Sequence, residues 1–251
     1  MEEKRQAPWH ENPEFWQTLQ PAIFDIERLR RGPAEVDHII NLLDLQGGER
    51  ICDLCCGVGR HSLELARRGF KVTAVDRTKL YLAQGKAKAE AEGLDVEFIQ
   101  EDMRAFHRPG SFDVVLNLFT SFGYFESSSD DRRVVENVHR SLKPGGRFVL
   151  DLIAKEVLAR VFRARDWRRV NDAILLVEAR IVEHWSAIEN EWILLEGGVQ
   201  HVWRYSHRLY SATELAGLLQ SCGFGSVEAY GGLHGIPYDE KAEQLVVVGR
   251  K

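Results

Sequence analysis

The run ICDLCCGVGRHSLELARRG, residues 51–69, gathers a carboxylate (Asp53), three thiols (Cys52, Cys55, Cys56), two glycines (Gly57, Gly59) and a basic pair (Arg60, His61). It begins as a buried strand, turns through the glycines and ends as an amphipathic helix. Such a turn presents free backbone N–H groups at a helix N-terminus, and the glycines remove the side chains that would keep a ligand away. Two ligands use this device: a dinucleotide, with its pyrophosphate on the helix dipole, and S-adenosylmethionine, with its amino acid and ribose against the turn. The dinucleotide fingerprint needs a third glycine where Ser62 stands, and Asp53 would repel a pyrophosphate while welcoming an ammonium group. Asp76, closing the next apolar run, is placed to accept hydrogen bonds from ribose hydroxyls, which either ligand carries. Cys52 and Cys55 spell a CxxC, but no second CxxC or nearby Cys/His pair completes a zinc set, so no metal is expected.

The elements that must position these groups alternate along the chain. Strands are expected at 50–54, 71–76, 96–100, 112–119 and 146–152. Helices are expected at 59–69, 78–92 and from about Asp130 to Leu142. Short apolar strands separated by helices predict a doubly wound, Rossmann-like α/β domain with a parallel sheet covered on both faces. Ahead of it, residues 13–45 read as two helices divided at Gly32 and Pro33. After Asp151 the period changes, and residues 174–209 predict an antiparallel β excursion. A helix over 211–221 and strands SVEAY and QLVVVGR then return the chain to the sheet. The domain expectation is an N-terminal helical lid over 1–33, a core over 34–155 and 206–251, and an antiparallel β insertion over 156–205.

At 251 residues, with 44% hydrophobic and 28% charged residues, the chain can bury a large core and is not disordered. The net charge of −5 gives no general attraction to nucleic acid or an anionic membrane. The start MEEKRQAPWHENPEFW has neither a signal core nor a membrane span, so a cytosolic protein, monomeric or homodimeric, is expected.

The segments DLCCGVGRHSLELARRG, VTAVDRT, QEDMRAF, FDVVLNLFTSFGYFE and LKPGGRFVLDL, in this order, resemble the successive motifs of class I S-adenosylmethionine-dependent methyltransferases. The resemblance is strong over about 35–152 and looser over 206–250. The closest resemblance is to small-molecule methyltransferases with an antiparallel insertion before the last helix. It implies S-adenosylmethionine as cofactor, with Asp53, Gly57 and Gly59 at its methionine side, Asp76 on the ribose, and Asp102 with Met103 at the adenine. Cys55, His61 and Arg77 belong to the same cofactor set. Asn117, Leu118 and Phe119 fall where the fourth strand ends beside the sulfonium. The family pattern usually has glycine where this chain has Cys55.

The expected activity is methyl transfer to a small-molecule acceptor, with N- or O-methylation favoured. The competing readings are an NAD-dependent oxidoreductase, a cofactor-binding protein without catalysis, and methylation of RNA or protein. The last rests on the arginine-rich run RVFRARDWRR at 160–169, which reads equally as a solvated helix or loop. His234, in a glycine-rich loop with Tyr238, is the first candidate for a general base, against the alternative of a solvent-exposed loop histidine. Tyr124, in FTSFGYFE, is an aromatic candidate near the cation. His201, Trp203, Tyr205 and His207 share one strand face and wall either an acceptor pocket or a packed sheet.

Overall fold

The computed structural model describes residues 8–251; the first seven residues of the expected lid lie outside the described residues. A short 3-10 turn, Trp9–Glu11, leads into α1 (Pro13–Ile23) and α2 (Ile26–Leu43). The core then runs β1 (Arg50–Leu54), α3 (Arg60–Arg67), β2 (Lys71–Asp76), α4 (Lys79–Glu92), β3 (Val96–Gln100), β4 (Phe112–Asn117), α5 (Ser128–Ser141) and β5 (Leu142–Leu152). After α6 (Lys155–Val161) come β6 (Arg165–Val170), β7 (Ala173–Val182), β8 (Ala187–Glu196) and β9 (Val199–Arg208). Helix α7 (Ala212–Ser221), β10 (Ser226–Tyr230) and β11 (Leu245–Arg250) complete the chain.

The large sheet has the order β10-β11-β5-β4-β1-β2-β3, with β11 antiparallel to both of its neighbours and the other pairings parallel. Alternate residues of each strand feed two cores. Cys52, Leu54, Val115, Phe148 and Val247 pack with Val134 and Val138 of α5 and Leu215 and Leu219 of α7. Ile51, Val72, Val114, Leu116, Val149 and Val246 pack with Val36, Ile39 and Leu43 of α2 and Leu65 of α3. This two-sided burial makes the strands continuously apolar, as a covered parallel sheet requires.

Three expectations are corrected. The break between the first two helices falls at Phe24 and Asp25, not at Gly32 and Pro33. Asp25 caps α2 by accepting from Arg28 N at 2.8 Å, and α2 continues through Pro33. Gly32 is instead a close-approach position, where a Cβ would stand 3.0 Å from Arg60 Cγ. The fourth strand ends at Asn117 because Phe119 and Thr120 take positive φ (67° and 58°). The arginine run is neither a helix nor a loop throughout, since 165–170 forms the edge strand β6. Its side chains go separate ways: Arg168 donates to Ala22 O, Arg165 pairs with Glu178, and Arg160 reaches the carbonyls of Glu240 and Ala242.

Strands β6–β9 form a second, wholly antiparallel sheet. Its inner face carries Leu175, Leu194, Trp203 and Tyr205 and packs on Phe15, Leu19 and Ala22 of α1. The phase of β9 seen in the sequence therefore holds, and Trp203 and Tyr205 serve packing against the N-terminal helix, with ring centroids 5.7 and 5.5 Å from Phe15.

The start of the segment after β4 is held by a buried carboxylate. Phe119 N donates to Asp151 Oδ2 at 3.3 Å, and Thr120 N donates to the Asp151 carbonyl at 2.9 Å. Asp151 is 4% exposed, and burial raises its pKa to about 6 from an ordinary 3.8. The Phe119 N–H, His61 and Arg60 favour the anion, and Glu35 opposes it. The folded state thus holds this proton more tightly than the unfolded chain, so the Asp151 contribution to stability falls as pH rises from about 4 to about 6. Asp151→Asn, neutral throughout, should gain on the wild type across that window by up to about 3 kcal/mol. Urea unfolding at about pH 4.5 and about pH 7.5 measures the gap; a gap that does not widen with pH would show that Asp151 is not held protonated.

Candidate functional site

The carboxyl ends of β1, β2 and β4 open on a cavity of about 990 Å³, its mouth included. Its floor is the turn between β1 and α3. Cys55, Gly57 and Gly59 all take left-handed φ there (66°, 56° and 80°), so the chain reverses within five residues. Cys55 N and Cys56 N both donate to Val75 O, which ties the turn to β2. Gly57 cannot carry a side chain, because a Cβ would lie 2.5 Å from the Phe24 ring. Gly59 is needed for its φ as the first residue of α3's cap, where no side chain caps the helix, and it does not border the cavity.

Two carboxylates stand on this floor. Asp76 accepts from Gly57 N (2.9 Å, Oδ2) and Thr78 N (2.7 Å, Oδ1), leaving each oxygen further lone pairs for a diol. Burial raises its pKa, against the lowering effect of these two N–H groups. Asp53, 2% exposed, accepts from Ser62 Oγ at 2.5 Å. Burial also raises its pKa, while His61 and Ser62 pull it down. Ser62, which replaces the third glycine of a dinucleotide motif, is thus the fixed partner of the carboxylate that faces the cavity.

At one end of the cavity lie Arg77, Glu101, Asp102 and Met103. Asp102 accepts from Arg104 N and Nε through Oδ1 and from Arg104 Nη2 through Oδ2. Burial would raise its pKa, but Arg104 outweighs this and lowers it. Met103 Sδ touches Cys55 Sγ at 3.4 Å, so the side chain at the usual glycine position is packed. At the other end, the guanidinium groups of Arg28 and Arg60 lie 4.3 and 4.7 Å from the centre of the Phe119 ring. Arg60 is paired with Glu35, which also lies 2.8 Å from His61 Nε2. Among the described residues Arg28 makes no ion pair, and burial lowers its pKa.

The N-terminal segment closes the cavity with His10, Trp16, Ile23 and Phe24, opposite Ser121, Tyr124 and Phe125. Trp16 Nε1 donates to His10 O, and Tyr81 OH donates to Trp16 O. The Gln20 and Gln84 amides pair reciprocally at 2.8 and 3.2 Å, fixing α1 to α4. His10 is 5% exposed. Burial and then Arg104 lower its pKa, which keeps the imidazole neutral at pH 7. Burial raises Tyr124 well above the usual phenol range.

Ten of the twelve expected cofactor residues border this cavity: Asp53, Cys55, Gly57, His61, Asp76, Arg77, Asp102, Met103, Leu118 and Phe119. Asn117 stands behind the wall, fully buried, with Nδ2 donating to Leu54 O. Of the three catalytic candidates only Tyr124 is brought in. His234 is exposed, with its ring 5.7 Å from His38 of α2, and Tyr238 OH donates to Glu156 of α6 at 3.1 Å. Their loop does emerge at the carboxyl end of the sheet, but beside the edge strand β10, so both are displaced sideways from the cavity. The residues missed by sequence reasoning are His10, Arg28, Tyr81 and Ser121. Only the aromatic clustering around His10 and the basic run at 28–31 hinted at them.

The donor set fits S-adenosylmethionine. Asp53 would take the ammonium group, Arg28 the carboxylate, Asp76 the ribose diol, and the Arg77, Asp102 and Met103 end the adenine. A family profile described as a methyltransferase domain matches residues 51–146. A protein of Geobacillus sp. (strain WCH70) named as a methyltransferase is 34% identical over 118 residues, covering 47% of this chain and 48% of the relative. The chain spans about half the length of the curated relatives it matches. Among solved structures, the CcbJ methyltransferase of Streptomyces caelestis superposes with a TM-score of 0.76 at 20% identity, covering 88% of this chain and 89% of its own. The S-adenosylmethionine-bound structure of CalS10, an amino pentose methyltransferase of Micromonospora echinaspora, gives 0.64 at 20% identity, covering 88% and 91%. Residues 51–146 match a methyltransferase domain, and the chain as a whole has the fold of these solved methyltransferases.

Proposed function

We propose that the protein methylates a nitrogen atom of a small-molecule amine at the expense of S-adenosylmethionine. The observation that carries this reading is that one cavity holds both the carboxylate set for the cofactor and, above it, a neutral buried imidazole among the aromatic side chains of Trp16, Tyr124 and Phe125. When bound, the cofactor would supply a sulfonium-bound methyl group: an uncharged amine would attack the methyl carbon, and the carbon–sulfur bonding pair would return to sulfur as S-adenosylhomocysteine leaves.

The chain has three tasks around that displacement. Asp53, Arg28 and Asp76 fix the donor's position, so that approach becomes intramolecular. The aromatic walls exclude water and attract a cationic amine through their ring faces. His10, lining the same space, takes the proton that the amine must lose. Its lowered pKa suits a base that has to be unprotonated before the acceptor arrives. The N-terminal segment works as a lid over residues 8–33, with the Tyr81–Trp16 and Gln20–Gln84 hydrogen bonds as its latches. The likeness in fold to CalS10, an amino pentose methyltransferase, supports an amine-bearing acceptor.

Two variants test the reading. Asp76→Asn should weaken binding of S-adenosylhomocysteine by about tenfold or more in calorimetry, the scale of losing hydrogen bonds to a charged group; unchanged affinity would remove Asp76 from the site. His10→Gln should bind S-adenosylhomocysteine as the wild type does, yet turn over amines found in a mass-shift screen about 100-fold more slowly. The wild-type rate should fall on the acid side, with a midpoint below 6.5 where His10 protonates, and the variant should lack that limb. An identical pH profile in both proteins would exclude His10 as the proton acceptor.

A further inference from the structure

The wall opposite the lid, residues 118–126, is irregular backbone that carries Phe119, Ser121, Tyr124 and Phe125 into the cavity. Phe119 and Thr120 both hold left-handed φ, a conformation that side-chain-bearing residues keep only when their surroundings impose it. Asp151 fixes the start of this segment. Its end is fixed from the second sheet. Arg208, the last residue of β9, donates from its backbone N to Gly123 O (2.7 Å) and from Nη2 to Glu126 O (2.7 Å). Gly123 has φ of 100°, and a Cβ there would stand 2.7 Å from Arg208 O, so the two backbones are in direct contact.

Asp131, on the first turn of α5, has no exposed surface. It accepts from Tyr210 OH (2.7 Å) and Arg208 Nε (3.3 Å), both through Oδ2, while Oδ1 has no partner among the described residues. We infer that Asp131 is a positioning residue for the acceptor wall: by holding Arg208 and Tyr210 it locks the exit of the antiparallel sheet onto Gly123 and Glu126, and so sets where Tyr124 and Phe125 stand. A buried carboxylate oxygen without a partner costs stability, which points to a role in geometry rather than in stability. Burial raises its pKa to about 6, Tyr210 and Arg208 pull it down, and Asp130 pushes it up. Asparagine keeps an acceptor oxygen for the two donors, and alanine does not. The inference rests on the methyltransferase reading for what the wall faces, but the clamp itself is measured without any acceptor.

Hydrogen exchange followed by mass spectrometry on the full chain, free and with S-adenosylhomocysteine, tests it. Asp131→Ala should accelerate exchange in 119–126 by about tenfold or more, with β1 and β4 within about threefold of the wild type. Asp131→Asn should leave the segment as protected as in the wild type. Arg208→Ala, which removes the partner instead, should reproduce the local acceleration and keeps the test open if the alanine variant at 131 does not fold. Unchanged exchange in 119–126, or equal acceleration of that segment and of β1 and β4, would overturn the clamp. Failure of the wild type to bind S-adenosylhomocysteine would sink the methyltransferase reading and leave the clamp standing or falling on its own exchange data.

Discussion

The hydrogen bond from Gly57 N to Asp76 is the contact on which the site depends. Parallel strands end at one edge of the sheet, and a carboxylate at such an end loses water as helices cover the sheet. Asp76 is compensated by N–H groups from two different turns, its own at Thr78 and its neighbour's at Gly57. That compensation requires the β1 turn to reverse tightly, which explains three left-handed residues in five positions. The cofactor floor is therefore not an addition to the sheet; it is how the sheet satisfies the groups at its end.

Helix α1 and the second sheet share one apolar core, because α1 packs on the inner face of β6–β9 through Phe15, Leu19 and Ala22. The other side of α1 and the 3-10 turn before it face the cavity through Trp16 and His10. A displacement of α1 must either carry the sheet with it or break that core, and the sheet in turn grips Gly123 and Glu126 at Arg208. The roof and the wall of the site are thus mechanically joined outside the cavity.

The core strands were legible because both faces of a covered sheet must be apolar, and because Asp53, Asp76 and the glycines sit within a short, local motif. His10 and Arg28 were not legible, since they reach the cavity only by folding back across the sheet from segments more than twenty residues before β1. His234 shows the converse. Its loop leaves the correct end of the sheet, but β10 lies four strand spacings from β1, roughly 19 Å away. A topological argument fixes the end of the sheet and not the position across it. The division of the N-terminal helices failed for a related reason: glycine before proline reads locally as a stop, yet Gly32 is required by the approach of α3 and the cap comes from Asp25.

Cys55 tests whether the turn is chosen for the backbone alone. At φ of 66° a side chain costs about 1–2 kcal/mol relative to glycine. Most of the Cys55 surface is nevertheless removed from water, and its sulfur lies against the Sδ of Met103, which lines the cavity. Burial of a small polarisable side chain returns energy of the same order as the strain. Glycine at this position would relieve the backbone while leaving Met103 without its contact. The position of the Met103 side of the cavity is therefore coupled to a strained turn, and the departure from glycine is a packing choice with a defined partner.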